Sequence, residues 1–302
     1  MDVMDKLVDR RAFLQKLAII GCGSVATGAL LASRRDSLTC AFGEEAPSRV
    51  VPKAQLRYLS KYERGKECFT QGLCFEADPD FEQGALYESG GRYGTSLLRK
   101  VDAGSGKVVR SIKLPNKYFG EGLAIVGDRL YMLTWREKTC FVFDKNTFKQ
   151  IDEFRYRGEG WGLAYNGKAL AMSDGTDKIR FINPENFRVQ KVVNVYYRNT
   201  AGVKKPLRFL NELEYVDGEL WANVFQEKYV VRIDPTTGEI IGNILNMESL
   251  VPKELATSDE YVLNGIAFDA ATRRLFITGK CWPVVYAFSL DNRPDDKEES
   301  SR

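Results

Sequence analysis

The side chains that could carry chemistry in this sequence are carboxylates, amides, lysines and aromatics, because the 302-residue chain contains no histidine. Histidine is the most common general base and the usual partner of a nucleophilic serine or cysteine, so catalytic pairs of those kinds are excluded. The strongest remaining candidates occupy equivalent places in five similar segments. They are Gln71, Glu121, Trp161, Asn211 and Asn264. A carboxylate can transfer a proton, and amides can hold a polar group by hydrogen bonds.

The five segments that contain these residues form an internal repeat. Their sequences are FTQGLCFE at 69, FGEGLAIV at 119, GEGWGLAY at 158, FLNELEYV at 209 and VLNGIAFD at 262. The aligned residues are 40 to 53 positions apart. Repeats of this length are typical of propellers and other repeat arrays. Each segment is followed by a second and a third short apolar run separated by turn residues, which predicts antiparallel strands.

A fourth apolar run follows in four of the repeats, at 108–114, 150–156, 189–195 and 239–245. The last repeat lacks one, because 291–302 is charged and suited to a disordered tail. We expect 54–62 to supply the missing strand, which closes the ring and leaves no exposed sheet edge between the chain ends. The sequence therefore predicts an all-β, five-bladed β-propeller over 51–290. The alternative is a β-sandwich with coincidental repeats.

The five aligned residues should converge, because the first strand of each propeller blade lines the axis. They could simply satisfy one another and trapped water along a narrow channel, which is the interpretation we favour for Asn264. The others bring a carboxylate, two amides and a tryptophan close to Trp135 and Lys280. That combination favours a single binding or catalytic site.

These motifs also resemble a known family. FTQGL, YFGEGL, GWGLA, SDG, LNELEY, WAN, LNGIA and TGK-x-WP occur in this order, and together they resemble the plant and bacterial type of glutaminyl-peptide cyclotransferase. The resemblance covers roughly 55–290 and implies a five-bladed propeller enzyme without a metal or other cofactor. Its substrates would be peptides or proteins with an N-terminal glutamine, which becomes pyroglutamate as ammonia leaves. The animal-type cyclases are unrelated zinc enzymes.

The resemblance also implies roles for individual residues. Glu121 matches the proposed catalytic acid and base, and Lys280, Gln71 and Asn211 match the polar residues around it. Phe69, Phe119, Trp135 and Trp161 match the aromatic residues that bind the substrate. Phe225 stands where the family usually has a further tryptophan, so an aromatic wall is kept while an indole N–H is lost. The alternatives are that Glu121 is merely paired with Lys280, and that the phenylalanines only pack between blades.

The N-terminal 41 residues have the pattern of an export signal. Arg10 to Lys16 reads RRAFLQK and precedes sixteen weakly apolar residues rich in Gly and Ala, which is typical of a twin-arginine signal. We expect export to the periplasm, with a linker at 42–50. An uncleaved leader that anchors the protein to the membrane, or a basic amphipathic helix, are the alternatives.

Charge and cysteine content limit the partners. The formal charge of +3 falls close to zero without the first 40 residues, so we expect no nucleic-acid binding. We also expect a monomer. The six cysteines have no metal-ligand spacing. Cys68 and Cys281 should meet where the last blade abuts the first, and a disulfide between them stays an open alternative.

Two other functions remain open from the residues alone. One is a non-catalytic exported propeller that binds peptides or a protein through the axial mouth, to which the basic insertion at 196–209 could contribute. The other is a metal-dependent propeller lactonase or lyase, which the missing histidine and the incomplete set of acidic axial residues disfavour.

Overall fold

The structure is a computed structural model that describes residues 53–65 and 67–291. The predicted export signal, most of the linker and the predicted tail lie outside the described residues. Secondary structure in the described part consists of strands and two single-turn 3-10 helices, Glu248–Leu250 and Lys253–Leu255. None of its helices is both long and apolar enough to cross a membrane.

The described residues form twenty-two strands. They are β1 (Gln55–Glu63), β2 (Thr70–Asp78), β3 (Phe81–Gly90), β4 (Leu97–Asp102), β5 (Val108–Lys113), β6 (Gly120–Val126), β7 (Arg129–Thr134), β8 (Thr139–Asp144), β9 (Gln150–Arg155), β10 (Leu163–Tyr165), β11 (Leu170–Met172), β12 (Lys178–Ile182), β13 (Val189–Asn194), β14 (Tyr196–Arg198), β15 (Lys204–Pro206), β16 (Leu210–Val216), β17 (Glu219–Val224), β18 (Tyr229–Ile233), β19 (Leu245–Asn246), β20 (Leu263–Asp269), β21 (Arg274–Gly279) and β22 (Val284–Asp291).

Twenty of these strands build five antiparallel four-stranded sheets, which are the blades, and β14 and β15 form a separate two-stranded sheet. Blades 1 to 4 are β2–β5, β6–β9, β10–β13 and β16–β19, and blade 5 consists of β20, β21, β22 and β1. The first strands contact one another in the cyclic order β2, β6, β10, β16, β20 and back to β2. The prediction of a five-bladed β-propeller is confirmed.

Blade 5 contains strands from both ends of the described chain. β1 pairs antiparallel with β22 along its whole length, from Gln55 opposite Asp291 to Glu63 opposite Val284. The fourth strand of blade 5 therefore comes from the segment predicted at 54–62.

The fourth strand of blade 4 differs from the prediction. The run at 239–245 was predicted as a strand, but β19 is only Leu245–Asn246, and Ile240 makes just an isolated bridge to Ile233. Gly242 has a φ of 63°, and a Cβ there would lie 2.4 Å from the Arg232 guanidinium. The chain therefore turns at Gly242, where regular strand geometry cannot continue.

Neighbouring first strands approach very closely at the axis. The Gly122 N–H donates to the Trp161 carbonyl at 2.6 Å, which joins blade 2 to blade 3. A Cβ on Gly162 would lie 2.0 Å from the Asn211 carbonyl oxygen of blade 4. Glycine is therefore required at this point, because any side chain would push the strands apart.

Apolar side chains fill the spaces between blades. Between blades 1 and 5, Leu73 and Leu86 pack with Phe276 and Val285, all nearly fully buried. Similar clusters join blades 1 and 2, blades 2 and 3, and blades 4 and 5. Such apolar contact between sheets is the main favourable term that holds the blades together.

Arg64 fastens the junction between blades 5 and 1. Its buried side chain is ion-paired with Glu88 of blade 1, and it donates to Thr278 Oγ1 at 2.9 Å and to the Gly279 carbonyl at 3.0 Å in blade 5. Arg99 bonds the other Glu88 oxygen at 2.7 Å. Burial alone would raise the pKa of Glu88, but the two guanidinium groups outweigh burial and lower it to about 2.

The predicted neighbours Cys68 and Cys281 also meet at this junction. The Cys281 N–H donates to the Cys68 carbonyl at 2.9 Å. Both thiols are buried and free, so the disulfide considered from the sequence is not formed in this structure.

The Glu88 carboxylate should make stability depend on acid pH. Its lowered pKa contributes about 3 kcal/mol to the free energy of unfolding. This contribution is fully present above about pH 4.5 and is lost as the pH falls toward 2. Glu88→Gln should lower the free energy of unfolding at neutral pH by about 3–5 kcal/mol, because two buried guanidinium groups lose their carboxylate.

Urea unfolding of wild type and Glu88→Gln between pH 2 and pH 7 measures both effects. The variant should lose less stability than wild type as the pH falls from 4.5 to 2. Glu82→Gln, at an exposed position of β3, is the control and should follow wild type. Equal acid dependence in Glu88→Gln and wild type would contradict the assignment.

Candidate active site

Six of the predicted site residues lie at strand ends on one face of the propeller. Phe69, Phe119 and Trp161 come just before the first strands of blades 1, 2 and 3. Trp135, Phe225 and Lys280 come directly after the second strands of blades 2, 4 and 5. In an antiparallel blade the first strand begins where the second ends, so the fold brings these side chains to the same face.

These side chains touch one another in a closed circuit that we call the collar. Ring centroids are 5.5 Å apart for Trp135 and Phe119 and 6.2 Å apart for Phe119 and Phe69. Lys280 Nζ lies 5.0 Å from the Phe69 ring centroid and 5.0 Å from that of Phe225. Phe225 meets Trp161 edge-on at 5.8 Å.

Glu159 closes the collar between the two tryptophans. Its Oε2 accepts the indole N–H of Trp135 at 2.6 Å and that of Trp161 at 2.9 Å. Arg136 approaches the other oxygen to 3.5 Å and lies 3.9 Å from the Trp135 ring centroid. Sequence reasoning missed Glu159, although its place two residues before Trp161 in GEGWGL was a usable signal.

The axial polar residues are fully buried. Gln71, Glu121, Asn211 and Asn264 all have an exposed fraction of 0%. Asn264 donates to the Thr70 carbonyl at 2.9 Å and to Gln71 Oε1 at 3.4 Å, which gives it the structural role expected from the sequence.

All three of the axial amides keep unused hydrogen-bonding capacity. Within the described residues, Gln71 Nε2, Asn264 Oδ1 and both side-chain polar atoms of Asn211 have no hydrogen-bond partner. Leaving such a group buried and unsatisfied costs about 1–3 kcal/mol. This cost is typical of a site whose groups pair with a bound molecule.

Glu121 lies between Gly120 and Gly122 on β6, and its carbonyl accepts Ser89 Oγ at 2.5 Å. Burial is the main cause that raises the pKa of Tyr93 and of Tyr156, and the charge of Glu121 adds to both. The Glu121 carboxylate therefore acts electrostatically on tyrosines beside the collar.

Among the described residues, no group of three or more Cys, Asp or Glu side chains could hold a metal ion. The predicted site residues include one fully buried carboxylate, Glu121, and one fully buried lysine, Lys280, together with buried amides and aromatic side chains.

Comparisons with known proteins agree with this arrangement. The family model for glutamine cyclotransferases matches residues 31–290. The chain is 38% identical over 240 residues to the glutaminyl-peptide cyclotransferase of Arabidopsis thaliana, covering 78% of this chain and 71% of that protein. The crystal structure of Myxococcus xanthus glutaminyl cyclase matches with a TM-score of 0.69 and 34% identity, over 80% of this chain and 99% of that one.

The chain belongs to the glutamine cyclotransferase family.

In this glutamine cyclotransferase, the collar is surrounded by a rim of polar residues. The sequence did not reveal this rim. Arg92 lies 4.7 Å from the Phe69 ring centroid and is ion-paired with Glu260. Glu137 accepts the Tyr93 hydroxyl at 2.9 Å and the Phe119 N–H at 3.2 Å. These contacts tie the loops after β3 and β7 to the aromatic residues of the site.

The unsatisfied amide of Asn211 should make this residue dispensable for stability. We expect Asn211→Leu to leave the free energy of unfolding unchanged or to raise it by about 1 kcal/mol, because no hydrogen bond within the described residues is lost. Thermal and urea unfolding measure the effect.

Asn223→Leu is the matched control. Asn223 is also a buried amide of blade 4, but its Oδ1 accepts the Gly265 N–H at 2.9 Å. This variant should lose about 1–3 kcal/mol, because a buried donor is left unsatisfied. An Asn211→Leu protein that is destabilised as much as Asn223→Leu would show that Asn211 is structural.

Proposed function

We propose that this protein converts the N-terminal glutamine of peptides or proteins into pyroglutamate and releases ammonia. The observation that carries the proposal is the fully buried Glu121 among unsatisfied amides, inside a closed aromatic collar. Membership of the glutamine cyclotransferase family supports this activity over a propeller that only binds peptides.

The reaction joins two groups of the same residue. The α-amine nitrogen attacks the side-chain amide carbon, a C–N bond forms, and the bond from that carbon to the amide nitrogen breaks. Because both groups belong to one residue, the enzyme has only to hold a conformer in which they are close and aligned. A buried, preformed pocket provides such restriction.

Glu121 is the residue that would move the proton. An α-amine has a pKa of roughly 7.7–8.0, so a carboxylate can accept its proton as the new bond forms. The same carboxyl group then returns this proton to the amide nitrogen, which leaves as ammonia. Gly120 and Gly122 flank Glu121 and pack closely on their neighbours, since a Cβ on Gly120 would lie 2.4 Å from the Met132 side chain and one on Gly122 would lie 2.5 Å from the Leu163 nitrogen. This packing fixes the backbone that carries Glu121.

Lys280, Gln71 and Asn211 would bind the reacting amide. Lys280 is fully buried, with its ammonium group between the Phe69 and Phe225 rings. Gln71 Nε2 and Asn211 Nδ2 are buried donors. Donors fixed before the reaction stabilise the oxygen that becomes negative in the tetrahedral intermediate.

The aromatic side chains would hold the glutamine stem and exclude water. Phe69, Phe119, Trp135 and Trp161 are at most 3% exposed, while Phe225 is partly exposed. Aromatic surface favours burial of the methylene groups of glutamine. Phe225 is the outermost of these residues, so its difference from the usual tryptophan should affect substrate binding more than proton transfer.

Glu121→Gln should abolish turnover while the protein stays folded, because an amide cannot accept the amine proton at neutral pH. Ammonia release from a Gln-initiated dipeptide measures activity, with and without a chelator, and circular dichroism monitors folding. Wild-type release should persist with the chelator, since the proposed groups are all side chains.

Glu214→Gln is the matched control. It removes another carboxylate from a first strand. This half-buried carboxylate lies away from the collar and accepts the Phe268 N–H at a distance of 3.1 Å. This variant should keep activity. Full activity in Glu121→Gln would refute the assigned role, and no release by folded wild type from several Gln-initiated peptides would refute the function.

We further propose that the protein is exported by the twin-arginine machinery. The support is the RRAFLQK sequence that begins at Arg10, followed by a weakly apolar stretch. In a bacterial host that exports folded proteins, replacing both Arg10 and Arg11 by Lys should retain the protein in the cytoplasm. Export that is unaffected by the double substitution would contradict the proposal, and recovery of wild type in the membrane fraction would indicate an anchor.

A further inference from the structure

Glu159 joins the two tryptophans of the site through a single oxygen atom. Trp135 belongs to blade 2, and Trp161 begins blade 3, yet both indole N–H groups point to Glu159 Oε2, at 2.6 and 2.9 Å. An indole nitrogen is a donor only, so a buried tryptophan needs an acceptor. Here one carboxylate serves two rings from adjacent blades.

The backbone holds Glu159 in place for this task. The next residue, Gly160, donates its N–H to the Trp135 carbonyl at 3.1 Å. The Glu159 side chain is 20% exposed and has Arg136 at 3.5 Å from its second oxygen. A carboxylate has two acceptor oxygens, so Oε2 can accept both indole N–H groups while the second oxygen faces Arg136.

The opposite sides of both rings are already limited by packing. Trp135 meets Phe119 at an interplanar angle of 62°, and Trp161 meets Phe225 at 79°. A Cβ on Gly175 would lie 2.6 Å from Trp161, so this ring packs directly on the backbone. The two hydrogen bonds to Glu159 also fix the direction in which the N–H edge of each ring points.

From this geometry we infer that Glu159 is a positioning residue for substrate binding. It holds Trp135 and Trp161 in one relative orientation, so that the collar is complete before substrate arrives. Glu159 acts through the two tryptophans and has no contact with the reacting atoms. The kinetic consequence rests on the proposed function, whereas the structural consequence does not.

Blade 4 contains a carboxylate with the same chemistry in a different place. Glu219 accepts the Trp221 indole N–H at 3.1 Å and pairs with Arg232 at 2.7 Å. Trp221 packs in the cluster between blades 4 and 5 rather than in the collar. The hydrogen bond between Glu219 and Trp221 therefore contributes to stability alone. Glu219 is the matched control for Glu159.

The structural test is NMR of protein labelled with ¹⁵N-tryptophan. The chain has four tryptophans, and Trp282 donates to the Tyr261 carbonyl at 2.9 Å, so the four indole N–H signals report on three acceptors. Glu159→Ala should shift two signals together, and Glu219→Ala should shift a single different one. Unmoved signals in Glu159→Ala would overturn the inference.

The kinetic test separates positioning from folding. Glu159→Ala should raise KM for a Gln-initiated dipeptide about tenfold and change kcat less than about threefold, because substrate binding is lost while proton transfer remains. Glu159→Gln keeps an acceptor oxygen, so its KM should lie close to that of wild type. Glu219→Ala should keep the wild-type KM even if its melting temperature falls.

The outcomes distinguish this inference from the proposed function. Unchanged KM in Glu159→Ala, with an active wild type, would overturn the positioning role alone. If wild type releases no ammonia, the dipeptide is titrated into labelled wild type. If the dipeptide does not shift the Trp135 and Trp161 signals, the role of Glu159 in substrate binding is overturned as well. If the dipeptide shifts both signals in wild type and shifts them less in Glu159→Ala, that role is supported.

Discussion

The close approach of the first strands at the axis is the constraint on which the site depends. Where Gly122 hydrogen-bonds to Trp161, and where Gly162 faces the Asn211 carbonyl, no side chain fits between neighbouring blades. The strands therefore come near enough for side chains from all five blades to share one cavity. A wider ring would give each blade its own wet surface, and neither the collar nor the buried amides would form.

In this arrangement, the buried polar groups that would bind a substrate lower the stability of the fold. Asn211 and Gln71 carry polar atoms without partners in the described part of the chain, at a cost of about 1–3 kcal/mol each. Two features offset this cost: the apolar packing between the blades, and the ion pair of Arg64 at the junction between blades 5 and 1. Arg64 also bonds the Gly279 carbonyl, next to Lys280, so the contact that joins blade 5 to blade 1 also places a site residue.

The repeats made the fold and most of the site predictable, because a blade fixes where its strand ends lie. Phe69, Trp135 and Lys280 could be assigned to one face before any contact was known. Glu159 could not, since its role depends on the direction of two indole edges and not on the repeat. The wrong strand at 239–245 has a similar origin, because the chain turns at Gly242 beside the Arg232 guanidinium and Asn243 Oδ1 accepts the N–H of the distant residue Ala54 at 2.9 Å.

The five repeats can form one site only because their residues differ at equivalent positions. After the axial residue, blades 1, 2, 3 and 5 have glycine, but blade 4 has Glu212. Its two oxygens accept the Ile266 N–H at 2.9 Å and the Leu73 N–H at 3.4 Å, so one side chain links blade 4 to blades 5 and 1 across the axis. Burial, and next the nearby Glu214, raises the pKa of Glu212 well above its usual value. The same residue type thus has different roles two blades apart, because Glu212 accepts backbone N–H groups of blades 5 and 1, whereas the charge of Glu121 acts on Tyr93 and Tyr156 beside the collar.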